Sequence, residues 1–188
     1  MRHRLPELSN SPRPPDFFVR AISIAERLGL VIRSGRGIYT SVDSVITEFH
    51  TFGEAAKRVP QGVICLLSAL RFHDIGPQCP FEVWMAPGEK DRRPRSDTPR
   101  LRIVRFSKPS LEFGQKTHCI EGVPVRIFSV AKTVADSFKY RNKIGLDVAL
   151  EALRESIRSR RVTTDELWQA AKICRVANVM KPYIEALL

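Results

Sequence analysis

The chain of 188 residues holds 43% hydrophobic residues, too many for wholesale disorder and enough to bury a core. A net charge of +11 and a sequence pI near 10.0 point to a polyanionic partner, most often nucleic acid. Four cysteines without a C-x-x-C pair speak against zinc ribbons and redox dithiols, and predict reduced thiols.

Residues 1–15 hold Pro6, Pro12, Pro14 and Pro15 among Ser9, Asn10 and Ser11. Each proline removes a backbone donor and turns the preceding residue from helix, so an irregular arm is expected. The leading Met-Arg-His-Arg has no apolar stretch behind it, which predicts no signal peptide, no membrane span and a cytoplasmic chain. From Asp16 to Leu28 a helix is predicted, with Phe17, Phe18, Ala21, Ile24, Ala25 and Leu28 on one side. Arg20, Ser23 and Arg27 fall on the other. Gly29 stops that helix, and residues 28–40 then read as two short strands around Gly35-Arg-Gly37, the pattern of a basic wing with Arg33 and Arg36 at its tip. Arg20, Ser23 and Arg27 would face a groove while Arg33 and Arg36 grip phosphates. An ordinary helix–hairpin corner is the alternative.

Helices are expected over residues 43–59 and 62–73, broken by Pro60-Gln-Gly62, the second apolar around most of its circumference. Strands follow at Phe81–Met85, Leu101–Phe106, Thr117–Ile120 and Val123–Phe128, the last two joined at Glu121-Gly122. The loop between the first two strands carries Lys90, Arg92, Arg93, Arg95 and Arg100, a candidate phosphate or protein contact, or simply a solvated run. The last third is helical. Ser129 caps a helix burying Val130, Val134 and Phe138, and a long helix runs from Leu146 to about Arg158. Thr163-Thr-Asp-Glu166 opens another as a capping box, and Val179, Tyr183 and Leu187 mark a last one. Cys65 and Cys174 read as core residues, and His73 as a helix-end structural residue. Lys132 and Asp136 form an i,i+4 pair, worth a few tenths of a kcal/mol if exposed.

No nucleotide loop, nucleophile elbow or zinc-protease motif occurs. Glu82 within a strand, with Glu112 and Lys116 near one, sketches a metal-dependent nuclease, but with loose spacing. The expectation is a protein that is not an enzyme and needs no cofactor or metal.

Taken in order, several segments resemble the AbiE-type antitoxin family. They are Gly35-Arg-Gly-Ile-Tyr39, Val63-Ile-Cys-Leu-Leu-Ser-Ala-Leu-Arg-Phe-His73 and Gly122-Val-Pro-Val-Arg-Ile-Phe-Ser-Val-Ala-Lys-Thr-Val-Ala-Asp-Ser-Phe138. Leu146-Asp-Val-Ala-Leu-Glu-Ala-Leu-Arg154 and Met180-Lys-Pro-Tyr-Ile-Glu-Ala-Leu-Leu188 are similar too. The likeness runs from about residue 17 to the C-terminus. It implies the antitoxin of a bacterial type IV toxin–antitoxin (abortive infection, phage defence) system, in which a winged helix-turn-helix represses the operon by binding promoter DNA. An α/β C-terminal domain then opposes a nucleotidyltransferase-like toxin, with no stable complex required. Under the resemblance, Arg20, Ser23 and Arg27 match the recognition-helix region and Arg33 and Arg36 the wing. Lys132, Thr133 and Asp136 belong to a characteristic helix start of unassigned role.

The expected architecture is therefore α/β: an arm over 1–15, a partial winged-helix element over 16–42, and a mixed antitoxin domain over 43–188 with a small sheet and several helices. The rival readings are a DNA-binding regulator without a toxin partner, the nuclease, and a pure interaction module.

Overall fold

The computed structural model describes residues 16–35, 38–41, 47–88 and 99–187. The expected arm, the hairpin tip at Arg36 and Gly37, and Lys90, Arg92, Arg93 and Arg95 of the basic loop lie outside the described residues. The chain is mixed helix and sheet, and divides into two compact units, 1–45 and 46–188.

In the first unit, helix α1 (Asp16–Arg27) precedes strands β1 (Val31–Gly35) and β2 (Ile38–Ser41), which pair antiparallel. The register slips between Arg33 and Gly35, an irregularity that adds twist at the end of the hairpin. Gly29, at φ +71°, ends the helical path, and Leu30 N–H closes it by donating 2.9 Å to the Ala25 carbonyl. Of the apolar residues predicted to line one side of α1, Phe17, Ile24 and Leu28 are each more than half exposed. Among the described residues of this unit, one short helix beside a two-stranded hairpin offers too little opposing surface to enclose them.

The second unit is built on a five-stranded sheet. It contains β3 (Val63–Ile64), β4 (Val83–Ala86), β5 (Leu101–Ile103), β6 (Gln115–Ile120) and β7 (Val123–Phe128), in the order β5-β4-β3-β7-β6. β3 runs parallel to β7 and antiparallel to β4, while β4–β5 is parallel and β6–β7 a hairpin. The hairpin turns at Glu121 and Gly122, both with positive φ, as tight hairpin turns require.

Three sequence expectations need correction. The run from Val63 to His73 is not one helix: Val63 and Ile64 form the central strand, and helix α3 covers only Leu66–Phe72. A short apolar run reads equally as buried strand or buried helix, and two β-branched residues tip it to strand. Glu82 sits before β4 rather than within a strand. Helix α2 is likewise shorter than expected, His50–Arg58.

Helix α2 lays Phe52, Ala55, Ala56 and Val59 on one face of the sheet, against Ile64, Val83, Met85, Val125 and Ile127. The opposite face carries Val63, Trp84, Ala86 and Phe128, packed with Val104 and with Leu111 of helix α4 (Lys108–Glu112). Helix α5 (Val130–Lys139) leaves β7 directly, and α6 (Arg141–Ile144), α7 (Leu146–Arg158), α8 (Thr164–Cys174) and α9 (Ala177–Glu185) follow. Around Val134, Phe138, Leu153, Leu167 and Met180 these helices enclose a core of their own. The capping box at the head of α8 forms as its spacing predicts, with Thr163 and Glu166 satisfying each other's backbone N–H groups. Among the described residues, no helix is long and apolar enough to cross a membrane.

Candidate functional site

The residues singled out by sequence fall into two settings that differ in every physical respect. In the first unit, Arg20, Ser23 and Arg27 are exposed and recur at three- and four-residue spacing, so they share one face of α1. Arg33 is exposed on β1. Arg100, at the end of the basic loop, is exposed as well, while its backbone carbonyl accepts a 2.8 Å bond from Val83 N–H and so fixes the approach of β5 to β4.

In the second unit the segment Phe128–Asp136 is the junction where β7 becomes α5. Ser129 is extended at the N-cap and its hydroxyl accepts from Lys132 N–H at 3.4 Å. The Phe128 carbonyl, last in the strand, accepts from the Thr133 hydroxyl at 3.3 Å and from His73 Nε2 at 2.7 Å. His73 is therefore a structural residue at the end of α3, with its proton on Nε2. Burial, with the positive charges of His118, Arg161 and Lys116 nearby, lowers its pKa below the ordinary 6.5 despite that bond.

Lys132 and Asp136 are not the exposed helix pair that their spacing suggested. Both are wholly enclosed, and Lys132 Nζ donates to Asp136 Oδ2. The ammonium stands 4.3 Å from the centre of the Phe128 ring and 4.5 Å from that of Phe106, so two aromatic faces supply the negative potential that water would otherwise give. The second carboxylate oxygen accepts from the Cys174 thiol at 3.3 Å. Burial raises the Asp136 pKa, with Lys132 pulling the other way, and pushes the Cys174 thiol up to about 12. A thiol so placed is a hydrogen-bond donor and not a nucleophile.

Gly114 completes the enclosure. It adopts φ +72°, and a Cβ there would come within 2.8 Å of Lys132 Cβ and 3.0 Å of Ser129 Oγ. Its carbonyl accepts from Ser129 N–H at 2.6 Å. Sequence reasoning passed over Gly114, Cys174, Phe106 and Phe128 as partners of Lys132. The helical pattern gave no signal of this: Ala131, Val134, Ala135 and Phe138 share one side of α5, and Lys132, Thr133 and Asp136 fall on the other, where a solvated face would be expected.

The residues of the nuclease reading are spread apart. Glu82 pairs with Arg102 at 3.9 Å beside β4, whereas Lys116 lies on edge strand β6 and Glu112 is exposed at the end of α4. The strand order sets β4 and β6 three positions apart, roughly 14 Å at the usual strand spacing. Among the described residues, no three His, Cys, Asp or Glu side chains converge as a metal site would need.

Compared with models of known protein families and with curated proteins, the chain matches none.

Proposed function

We propose that this chain is the antitoxin of a type IV toxin–antitoxin pair and represses its own promoter, as a cytoplasmic protein that binds DNA and catalyses no reaction. In this reading α1 is the recognition helix and the β1–β2 hairpin the wing. The second unit is the part that opposes a nucleotidyltransferase-like toxin.

The observation that carries the proposal is the display of Arg20, Ser23, Arg27 and Arg33, all exposed on a small unit of their own, in a chain of net charge +11. Exposed guanidinium groups on a helix face and an adjacent hairpin suit phosphate contact, where released counterions supply the affinity. The ordered segments that resemble the antitoxin family add the toxin half of the reading.

Two experiments test the two halves. A mobility shift on DNA upstream of the gene is expected at low salt and should fade steeply as salt rises; no shift at low salt removes the DNA role. Co-expression with a neighbouring nucleotidyltransferase-like gene should restore growth; persistent toxicity removes the antitoxin role.

A further inference from the structure

We propose that Lys116, His118 and Arg161 form a binding site for a phosphate dianion, free or carried by a monoester, beside the end of α3. The strand sets the first two. Lys116 and His118 lie two positions apart on β6, so both side chains project from one face, roughly 7 Å apart along the strand. Their partners on β7, Ile127 and Val125, belong to the core under α2, which identifies that face. The end of α3 closes the group. The Phe72 ring stands 4.7 Å from the His118 ring and 5.3 Å from that of His73. Arg161, in the turn between α7 and α8, donates through Nη1 to the His73 carbonyl, which brings its guanidinium to the same place. That bond uses one of five guanidinium donors and leaves the rest for a ligand.

The positive charge gathered here is not answered within the protein. Lys116 and Arg161 are both exposed, and among the described residues neither makes an ion pair. Glu166 feels Lys116, but its Oε2 already accepts from Thr163 N–H at 2.8 Å and from the Thr163 hydroxyl at 3.0 Å. Asp74 follows His73 and is exposed. Even so, the charges that act on His73 are those of His118, Arg161 and Lys116, all positive, and at His118 the charge is that of Lys116. The potential at the two rings is therefore positive, as an anion requires.

Donor chemistry selects the ligand. The His118 Nε2 is enclosed, with no hydrogen-bond partner among the described residues. Nδ1 is the nitrogen left to meet a ligand, and with the proton there the neutral ring is a donor. Two fixed cations match a doubly charged group, and ammonium, guanidinium and imidazole N–H groups all donate to phosphate oxygens. The donors come from a strand and from a turn, a spread that suits a tetrahedral anion better than a planar carboxylate. The site lies wholly in the second unit and owes nothing to the arginines of the first.

Nuclear magnetic resonance of the isotope-labelled full chain tests this, with sodium phosphate titrated against sodium chloride at matched ionic strength. At about pH 8, where phosphate is doubly charged, the His118 ring and the Lys116 amide should shift saturably. The expected Kd is about 1 mM or below. Methyl phosphate should act alike, whereas dimethyl phosphate, with one charge, should bind at least about tenfold more weakly. Lys116→Gln and Arg161→Gln, both exposed changes, should each weaken phosphate about tenfold. Arg20→Ala with Arg27→Ala should leave the affinity unchanged, which separates this site from the DNA contact of the first unit. Shifts that stay linear in phosphate, that chloride reproduces, or that persist at full affinity in Lys116→Gln overturn the proposal. Equal binding of dimethyl phosphate overturns the choice of a dianion.

Discussion

The two units handle charge in opposite ways. In the second, Lys132 and Asp136 are walled in by Phe106, Phe128 and Cys174, and their attraction is spent within the protein. In the first, Arg20, Arg27 and Arg33 stand exposed beside apolar side chains that are themselves open. The same kind of residue therefore does different work according to what encloses it. An enclosed charge specifies how the elements meet, whereas an exposed one faces solvent.

This contrast is easiest to break at the buried pair. Lys132→Met leaves Asp136 buried without a counter-charge and should cost about 3–5 kcal/mol in a denaturant titration. The double substitution Lys132→Met with Asp136→Leu removes both charges and should recover most of that loss. A single variant as stable as the wild type would mean that the pair is solvated.

Gly114→Ala ranks next. The new methyl group meets Lys132 Cβ in a left-handed backbone position, and about 3 kcal/mol of destabilisation is expected in the same assay.

Acid provides a third, smaller test. His73 is held neutral, with its folded pKa below 6.5, so the unfolded chain binds protons first as pH falls. Stability is fully present above about pH 6.5 and declines as pH drops through the folded value. Thermal midpoints measured across that range should fall, and His73→Gln should flatten the trend.

The smallest stability effect belongs to the exposed arginines. Arg20→Ala and Arg27→Ala should each change unfolding free energy by less than about 0.5 kcal/mol. Their effect should appear in DNA affinity instead.

Where sequence alone was a good guide, local chemistry decided the outcome. The Thr163–Glu166 box, the Glu121-Gly122 turn and the Ser129 cap are each set by a few neighbouring residues, and each forms as predicted. The central strand was hidden because Val63 and Ile64 supply too short a run to display a period of two. Helix α4 was missed because five residues opening at Lys108-Pro109 show no helical repeat. The burial of Lys132 depends on Cys174, 42 positions along the sequence, and on aromatic rings from other elements. No spacing rule encodes such an enclosure. The exposed arginines of α1 were legible from helical periodicity, but the open apolar side beside them depends on which elements are there to cover it.

The claim that the first unit's arginines meet a polyanion is tested most directly by the slope of log affinity against log salt for promoter DNA. With Arg20, Arg27 and Arg33 all changed to Ala, that slope should shrink by about 3, near 0.9 for each phosphate no longer neutralised, at an unchanged thermal midpoint. An unchanged slope in a folded triple variant would contradict the account.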